Sequence, residues 1–199
     1  MADKFAVYGA GGMGKEADWI AESNQSNLEL AFFNDDDLNV NSCNTKPVIH
    51  EVAENFPLVI SIAEPAIKGR IVSKLGAQQL YVNLISESAK IHSSARLGLG
   101  CILGFDVVVS CEVKVGHHSL INARSIIGHD SVLGDFVSIM YNVSISGNVK
   151  IGEGTLIGSG AVILPGIQIG KNCKIGAGAV VTKNIPDNSI AVGVPAIVK

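Results

Sequence analysis

The sequence predicts two architectures in one chain, an α/β unit over residues 1–80 and an all-β parallel solenoid over residues 81–199. Two observations carry this division. Sixteen consecutive hexapeptides run from Ala89 to Asn184, and the third residue of every one is Ile, Leu or Val, from Ile91 through Ile127 and Ile145 to Val181. Ahead of them the six-residue period is absent, and short apolar runs alternate with helix-like stretches. A fixed short period marks a solenoid, whose units bury their apolar side only against their neighbours. Strand–helix alternation marks a parallel sheet with crossover helices.

The first element is the apolar run Phe5-Ala6-Val7-Tyr8, read as a strand. Gly9-Ala10-Gly11-Gly12-Met13-Gly14 follows at once, then a helix from Lys15 to Ser23. Leu30-Ala31-Phe32-Phe33 is a second strand that ends in Asn34-Asp35-Asp36-Asp37. Leu58 to Ile62 is a third. Pro65 to Leu75 is a helix with Pro in its tolerant first turn, and Leu80-Tyr81-Val82 is a fourth strand. Gly9, Gly11 and Gly14 satisfy G-x-G-x-x-G between a strand and a helix, with acids about 20 residues further on, the context of a Rossmann-like turn. Glycines there let backbone approach a phosphate, and the helix start offers unpaired N–H groups. About 80 residues supply only half of a dinucleotide-binding unit, so a mononucleotide or a nucleotide-linked sugar suits the space better than NAD. A tight turn without a ligand is the plain alternative. Asp35 and Asp36, at the carboxyl end of the second strand, are placed to accept hydrogen bonds from a ribose or a base N–H. Arg70, on the second helix, reads as an exposed helix charge.

Six residues are too few for a helical repeat but suit a short strand and a tight turn, with the aliphatic residue inward. Gly follows that residue in nine of the sixteen hexads, as at Gly128 and Gly152, and is expected to relax the corners. Three hexads close one triangular coil, so residues 18 apart stack about 4.8 Å apart. The tail from Pro186 to Lys199 leaves the repeat and is expected to cap the solenoid or reach a neighbour.

A formal net charge of -3 without a Lys/Arg-rich run argues against a nucleic-acid surface. No apolar stretch suits a bilayer span, and the start Met1-Ala2-Asp3-Lys4 lacks a signal-peptide pattern, so the expected location is the cytoplasm. Cys43, Cys101, Cys111 and Cys173 lack close-pair spacing, which reads as reduced thiols and no metal site.

His129-Asp130 is a polar pair at the last two positions of a hexad, where side chains leave the coil, and His beside a carboxylate suits proton removal near neutral pH. His117-His118, two hexads earlier, is the internal rival, and residue chemistry alone leaves both open. The 18-residue stack sets Cys111 beneath His129 and Glu112 beneath Asp130. Glu112 is expected to favour the protonated imidazole, and Cys111 raises a Cys–His acyl-enzyme as a lesser route.

Taken together, the motif Gly9 to Gly14, the pair Asp35-Asp36, the segment Asn122 to Asp130, the run Gly147-Asn148-Val149-Lys150-Ile151-Gly152 and the closing Gly193-Val194-Pro195-Ala196 resemble one family across essentially the whole chain. These are bacterial sugar acetyltransferases of the sialic acid O-acetyltransferase type, which include N-acetyltransferases for nucleotide-linked 4-amino-sugars. The resemblance implies a left-handed β-helix, acetyl-CoA as co-substrate without a metal, and a homotrimer with coenzyme A between subunits. It implies direct transfer with His129 as base and Asp130 as its tuner, which decides between the two histidine sites. By the same resemblance Gly11, Gly12, Met13, Asp35 and Asp36 hold the nucleotide. Asn122 and Ser138 lie toward the acceptor, and Gly147, Ser159 and Ala177 lie along coenzyme A, with N–H groups near Gly147 as oxyanion donors. Two departures stand out. Ser138 occupies a position where many relatives have a second His, which bears on N- versus O-acetylation, and Glu64-Pro65 replaces a common Gly-Asn, so Glu64 is expected to bond a sugar or base group. The implied function is N-acetylation of a nucleotide-linked (UDP, dTDP or GDP) 4-amino-sugar in surface glycan or lipopolysaccharide synthesis. O-acetylation of sialic acid is the nearest alternative, and a non-catalytic scaffold or sugar-nucleotide sensor the alternative of another class.

Overall fold

The computed structural model describes residues 3–24, 28–51 and 56–199. The first part is a five-stranded sheet with two helices: β1 (Asp3–Tyr8), α1 (Gly12–Ser23), β2 (Leu28–Asn34), β3 (Ser42–Cys43), β4 (Lys46–Ile49), β5 (Leu58–Ile60) and α2 (Pro65–Leu75). The strand order is β3-β4-β2-β1-β5. All pairings are parallel except β3 with β4. Phe5, Val7, Phe33, Leu58 and Val59 are fully buried, as strands covered on both faces require.

Three local expectations change here. Helix α1 starts at Gly12 rather than Lys15, because Gly14 belongs inside the first turn, where a Cβ would strike Gly9 O and meet a Phe33 ring carbon at 3.3 Å. Leu80-Tyr81-Val82 makes only a single bridge, Tyr81 to Leu58, before the chain passes to the solenoid. The β3–β4 hairpin was hidden by its polar sequence and by Pro47, which suits the sheet edge where the hairpin lies.

The solenoid begins at Leu84–Ile85, one hexad ahead of the regular repeat. Each hexad gives a two-residue strand, and the ladders have six, five and eight strands. The stacking interval is 18 residues: Ile91, Val109, Ile127, Ile145, Ile163 and Val181 follow one another up one ladder. These residues and their counterparts form one continuous core. Small residues at the first hexad position bridge coils. Ser125 Oγ donates to Met140 O at 2.7 Å and accepts Val143 N–H at 3.1 Å, and Thr155 does the same between Gly170 and Cys173.

The glycine after the aliphatic residue is not what bends the corner. Left-handed backbone falls at the sixth position, in fourteen consecutive hexads from Gly100 to Gly178, nine of them non-glycine residues including His118, Asp130 and Phe136. The glycine at the fourth position serves close approach instead. A Cβ on Gly128 would fall 2.6 Å from Gly147 N in the next coil, and one on Gly134 would fall 2.6 Å from Glu153 N.

Three faces result, distinguished by the outward second residue of each hexad. Leu84, Ile102 and Leu120 belong to the face covered by the α/β unit, where they join the core of Phe5, Ala17 and Ile20. Val108, Ile126, Val162 and Val180 form an aliphatic face, on which Val108 and Ile126 are exposed. Arg96, Lys114 and Lys150 mark a basic face. The tail does not leave the solenoid entirely, since Ile190–Val192 adds to the covered-face ladder and Ile197–Val198 folds back antiparallel onto it.

Candidate active site

His129 stands at the corner between the aliphatic and basic faces. Its Nδ1 lies 2.7 Å from Asp130 Oδ2, with both side chains about half exposed (56% and 52%). Asp130 reaches back because it holds left-handed backbone, φ 59°, a conformation that Asp tolerates better than most residues. An Nδ1–H donated to the carboxylate leaves Nε2 as an acceptor. The ring lies over the next coil at Gly147: a Cβ there would fall 2.5 Å from Nε2 and 2.6 Å from Cε1. Gly128 lets the coils close and Gly147 leaves room for the imidazole, so two glycines frame the histidine. Below it, Asp130 N–H donates to Cys111 O at 3.1 Å, and Glu112 shares the left-handed corner geometry, as the 18-residue stack requires. The four cysteines are free thiols, and all but Cys111 are buried.

The rival pair has another environment. His118 is 6% exposed, edge-on to Tyr81 at 4.5 Å and stacked on Phe136 at 5.3 Å. Burial pushes it down to about 4, so it is a neutral packing group at neutral pH. Its Nδ1 has no partner among the described groups. His117 Nδ1 accepts Leu99 N–H at 3.0 Å. Lys68 of α2 is buried beside them, its Nζ donating to His118 O at 2.8 Å and lying 3.4 Å from Val137 O. Burial lowers Lys68 to about 7.

At the G-x-G-x-x-G turn, Gly11 and Gly12 are exposed, Gly9 has φ 108°, and α1 begins without a side-chain cap. Asp35 closes the turn by accepting Ala10 N–H at 2.7 Å, and it also accepts Asp37 N–H. Asp36 pairs with Lys74 at 2.7 Å and accepts Tyr8 Oη–H at 2.6 Å. Those two partners hold its carboxyl below the usual range. A cavity of about 320 Å³ lies among Tyr8, Gly9, Asp35, Asp36, Arg70 and Lys74. Tyr8 and Lys74 were not read from the sequence, because their role depends on α2 packing beside β1. Glu64, which caps α2, pairs with Lys174 of the solenoid at 3.2 Å.

Helix α1 runs along the corner between the covered and aliphatic faces. Met13 and Glu16 meet Tyr141, and Trp19 packs against Phe105, two coils lower, with ring centroids 4.4 Å apart and planes tilted by 47°. Its glycine-rich start therefore points toward the coils of Ser159 and Ala177, which continue the Tyr141 column through Gly160 N–H to Tyr141 O and Gly178 N–H to Ser159 O. Gly147 belongs to the His129 column instead. Asn122 and Ser138 are both buried: Asn122 Nδ2 lies 3.8 Å from Met140 Sδ, and Ser138 Oγ has no partner among the described groups. Within one chain, then, the sequence-derived residues form two groups. The glycine turn, Asn122, Ser138, Ser159 and Ala177 gather around the covered face and its Tyr141 corner, whereas His129, Asp130 and Gly147 occupy the corner opposite that face. Among the described residues no cluster of three or more His, Cys, Asp or Glu could hold a metal, and no helix is long and apolar enough to cross a membrane.

The repeats match the family described as bacterial transferase hexapeptide (six repeats) over residues 130–164 and 148–183. No curated protein sequence matches the chain. Among solved structures, the acetyltransferase domain of PglB from Neisseria gonorrhoeae is 30% identical, covering 99% of this chain and all of that one, with a TM-score of 0.89. The same domain in complex with acetyl coenzyme A gives 0.91 at 29% identity, with both chains wholly covered. WeeI from Acinetobacter baumannii is 31% identical over 98% of this chain and all of its own, at 0.86. A mutant of perosamine N-acetyltransferase from Caulobacter crescentus, in complex with CoA and GDP-perosamine, is 25% identical over 98% and 96% at 0.90. The chain belongs to the hexapeptide-repeat sugar acetyltransferases of the left-handed β-helix superfamily. It is an acyltransferase, which sets aside a non-catalytic scaffold.

Proposed function

We propose that this chain transfers an acetyl group from acetyl-CoA to the amino group of a nucleotide-linked 4-amino-sugar, with His129 as general base, in surface glycan synthesis. One observation carries the reading: an accessible imidazole is oriented by a carboxylate at 2.7 Å, with its free nitrogen over Gly147. The similarity to enzymes solved with acetyl coenzyme A, and with CoA and GDP-perosamine, supports the two substrates. The Rossmann-like turn at Gly11, Gly12 and Met13, with Asp35, Asp36 and the cations Arg70 and Lys74 nearby, would hold the nucleotide end.

In the reaction, the amine nitrogen attacks the thioester carbonyl carbon, forming the C–N bond as its proton passes to His129 Nε2. The C–S bond then breaks, and the coenzyme A sulfur leaves with the proton carried by the imidazolium. Asp130 fixes the ring and supports its charge in between. Base catalysis of this kind contributes about 10²–10⁴-fold, so alignment of the two substrates supplies much of the rest.

The α/β unit covers the face opposite the His129 corner, so a nucleotide-sugar held there cannot reach His129 of its own chain. The reading therefore requires that the base of one copy serve the sugar-nucleotide held by another. A homotrimer satisfies this, and the exposed Val108 and Ile126 of the aliphatic face are suited to burial between copies. The two groups of coenzyme A candidates, Gly147 on one column and Ser159 with Ala177 on another, would then flank one cleft from two subunits. Thiol release from acetyl-CoA against a panel of nucleotide-linked 4-amino-sugars and free sialic acid, with His129→Ala alongside, tests the reading. Turnover of one amino-sugar nucleotide, lost in the variant, is expected. Turnover of sialic acid alone would move the function to O-acetylation.

A further inference from the structure

Glu16 and Tyr141 are 125 residues apart in sequence and meet where α1 crosses the solenoid corner. Tyr141 Oη lies 2.6 Å from both Glu16 carboxylate oxygens and 3.9 Å from Met13 Sδ. The hydroxyl carries one proton, so it satisfies one of about four lone-pair sites on that carboxylate. Both residues are half-buried, and among the described residues no cation pairs with Glu16. Burial, and then the bond to Glu16, pushes the Tyr141 hydroxyl up to about 12, so it stays a donor and cannot neutralise its partner by deprotonating. An anion kept half-dehydrated without a counter-charge is costly unless a ligand supplies one.

The place of this anion gives it a use. It sits one turn along α1 from the exposed Gly11-Gly12 turn, beside Met13, and on the column that continues from Tyr141 to Ser159 and Ala177. On the reading above it lies one helical turn from the glycine turn proposed for the nucleotide and beside the column proposed for coenzyme A, where it would meet the reacting end of the sugar. Resting on the reading above, we propose that Glu16, held by Tyr141, is a specificity residue that recognises the positively charged amino group of the acceptor and rejects the hydroxyl-bearing sugar. An ammonium offers three N–H donors and a full charge to the open carboxylate sites, whereas a hydroxyl offers one neutral donor and leaves the anion uncompensated. The bound ammonium releases one proton to solvent to become the attacking amine, and the second passes to His129 as the C–N bond forms. Discrimination against a partner that leaves a buried polar group unpaired is the strongest kind available to a binding site.

Calorimetric binding of a nucleotide-linked 4-amino-sugar and of its 4-hydroxy counterpart, to the unaltered protein, Glu16→Gln and Tyr141→Phe, tests this. Thiol-release kinetics are followed in parallel. Glu16→Gln keeps the size of the side chain and an acceptor for Tyr141, so folding is retained and only the charge is lost. The amino-sugar is expected to bind the unaltered protein at least tenfold more tightly than the hydroxy-sugar. Glu16→Gln is expected to erase most of that ratio, with the amino-sugar bound more weakly and the hydroxy-sugar bound no more weakly than by the unaltered protein, and with the KM for acetyl-CoA unchanged. Tyr141→Phe, which keeps the charge but frees its orientation, should lose less. A preference for the amine that survives Glu16→Gln would overturn the role of Glu16 while leaving the acetyltransferase reading intact, as would equal weakening of both ligands. If the unaltered protein neither binds nor acetylates any amino-sugar nucleotide, the underlying reading fails, and this inference fails with it.

Discussion

Two corners of one solenoid carry histidines, and they have become different materials. His129-Asp130 and His117-His118 occupy the same two positions of the six-residue repeat, with Asp130 and His118 both on left-handed backbone. At His129 none of the described residues of the α/β unit makes a contact, and the imidazole stays accessible, paired to a carboxylate and open at its second nitrogen. At His118 the α/β unit brings Tyr81 and Lys68 against the corner and drives out water, so the ring becomes a neutral packing group. The repeat supplies a scaffold of equivalent corners, and what docks on each corner decides whether a histidine does chemistry or fills space.

The largest expected effect separates the two corners directly. His129→Ala should lower turnover by about 10²–10⁴-fold, while His117→Ala, assayed by the same thiol release, should leave it near the unaltered level. Comparable losses in both would dissolve the distinction. Next in size is Gly147→Ala. Its methyl would displace an imidazole that now lies within 2.5 Å of where that carbon would be, and a misplacement of about 1 Å in a reacting group can cost about 10²-fold. The expected result is a fall in kcat with the thermal midpoint nearly unchanged, since His129 is exposed and can swing aside.

The buried corner should speak through stability rather than rate. Lys68, lowered from 10.5 to about 7 in the folded chain, binds fewer protons than the unfolded chain between those values, so stability falls as pH drops from 10.5 toward 7. Urea midpoints of the unaltered protein should be lower at pH 7 than at pH 9, and Lys68→Met should flatten that slope. His118, lowered to about 4, adds a similar loss as pH falls from about 6.5 toward 4. His118→Phe should remove that acid sensitivity, at a cost or gain within about 1.5 kcal/mol at pH 7. A unaltered-protein midpoint that does not change from pH 6.5 to 4 would mean the ring is not buried in solution.

The solenoid was legible almost throughout, because an unbroken aliphatic period has one packing solution and an 18-residue interval follows from three hexads per coil. The division between fourth-position and sixth-position glycines was not, since both look like corner glycines until the neighbouring coil is in place. His129 with Asp130 could be singled out because the acid is adjacent in sequence. The burial of His118 and Lys68, the Glu64–Lys174 pair and the Glu16–Tyr141 contact could not, because each depends on how the α/β unit docks, and docking leaves no period in the sequence. The same docking separates the glycine turn from His129 within one chain, and no sequence period records that separation.

Mixing two inactive variants tests that separation most directly. His129→Ala removes the base, and Gly12→Asp sets a repelling carboxylate at the open start of α1, where a side chain meets nothing within 4 Å. Neither alone should release thiol from acetyl-CoA with the amino-sugar nucleotide. Co-expressed and purified together, they should recover up to about a quarter of the unaltered rate, since random assembly pairs an intact base with an intact turn from another copy that often. No recovery in a mixed assembly shown to contain both chains would mean that base and nucleotide turn act within one chain, and the two-copy site would be wrong.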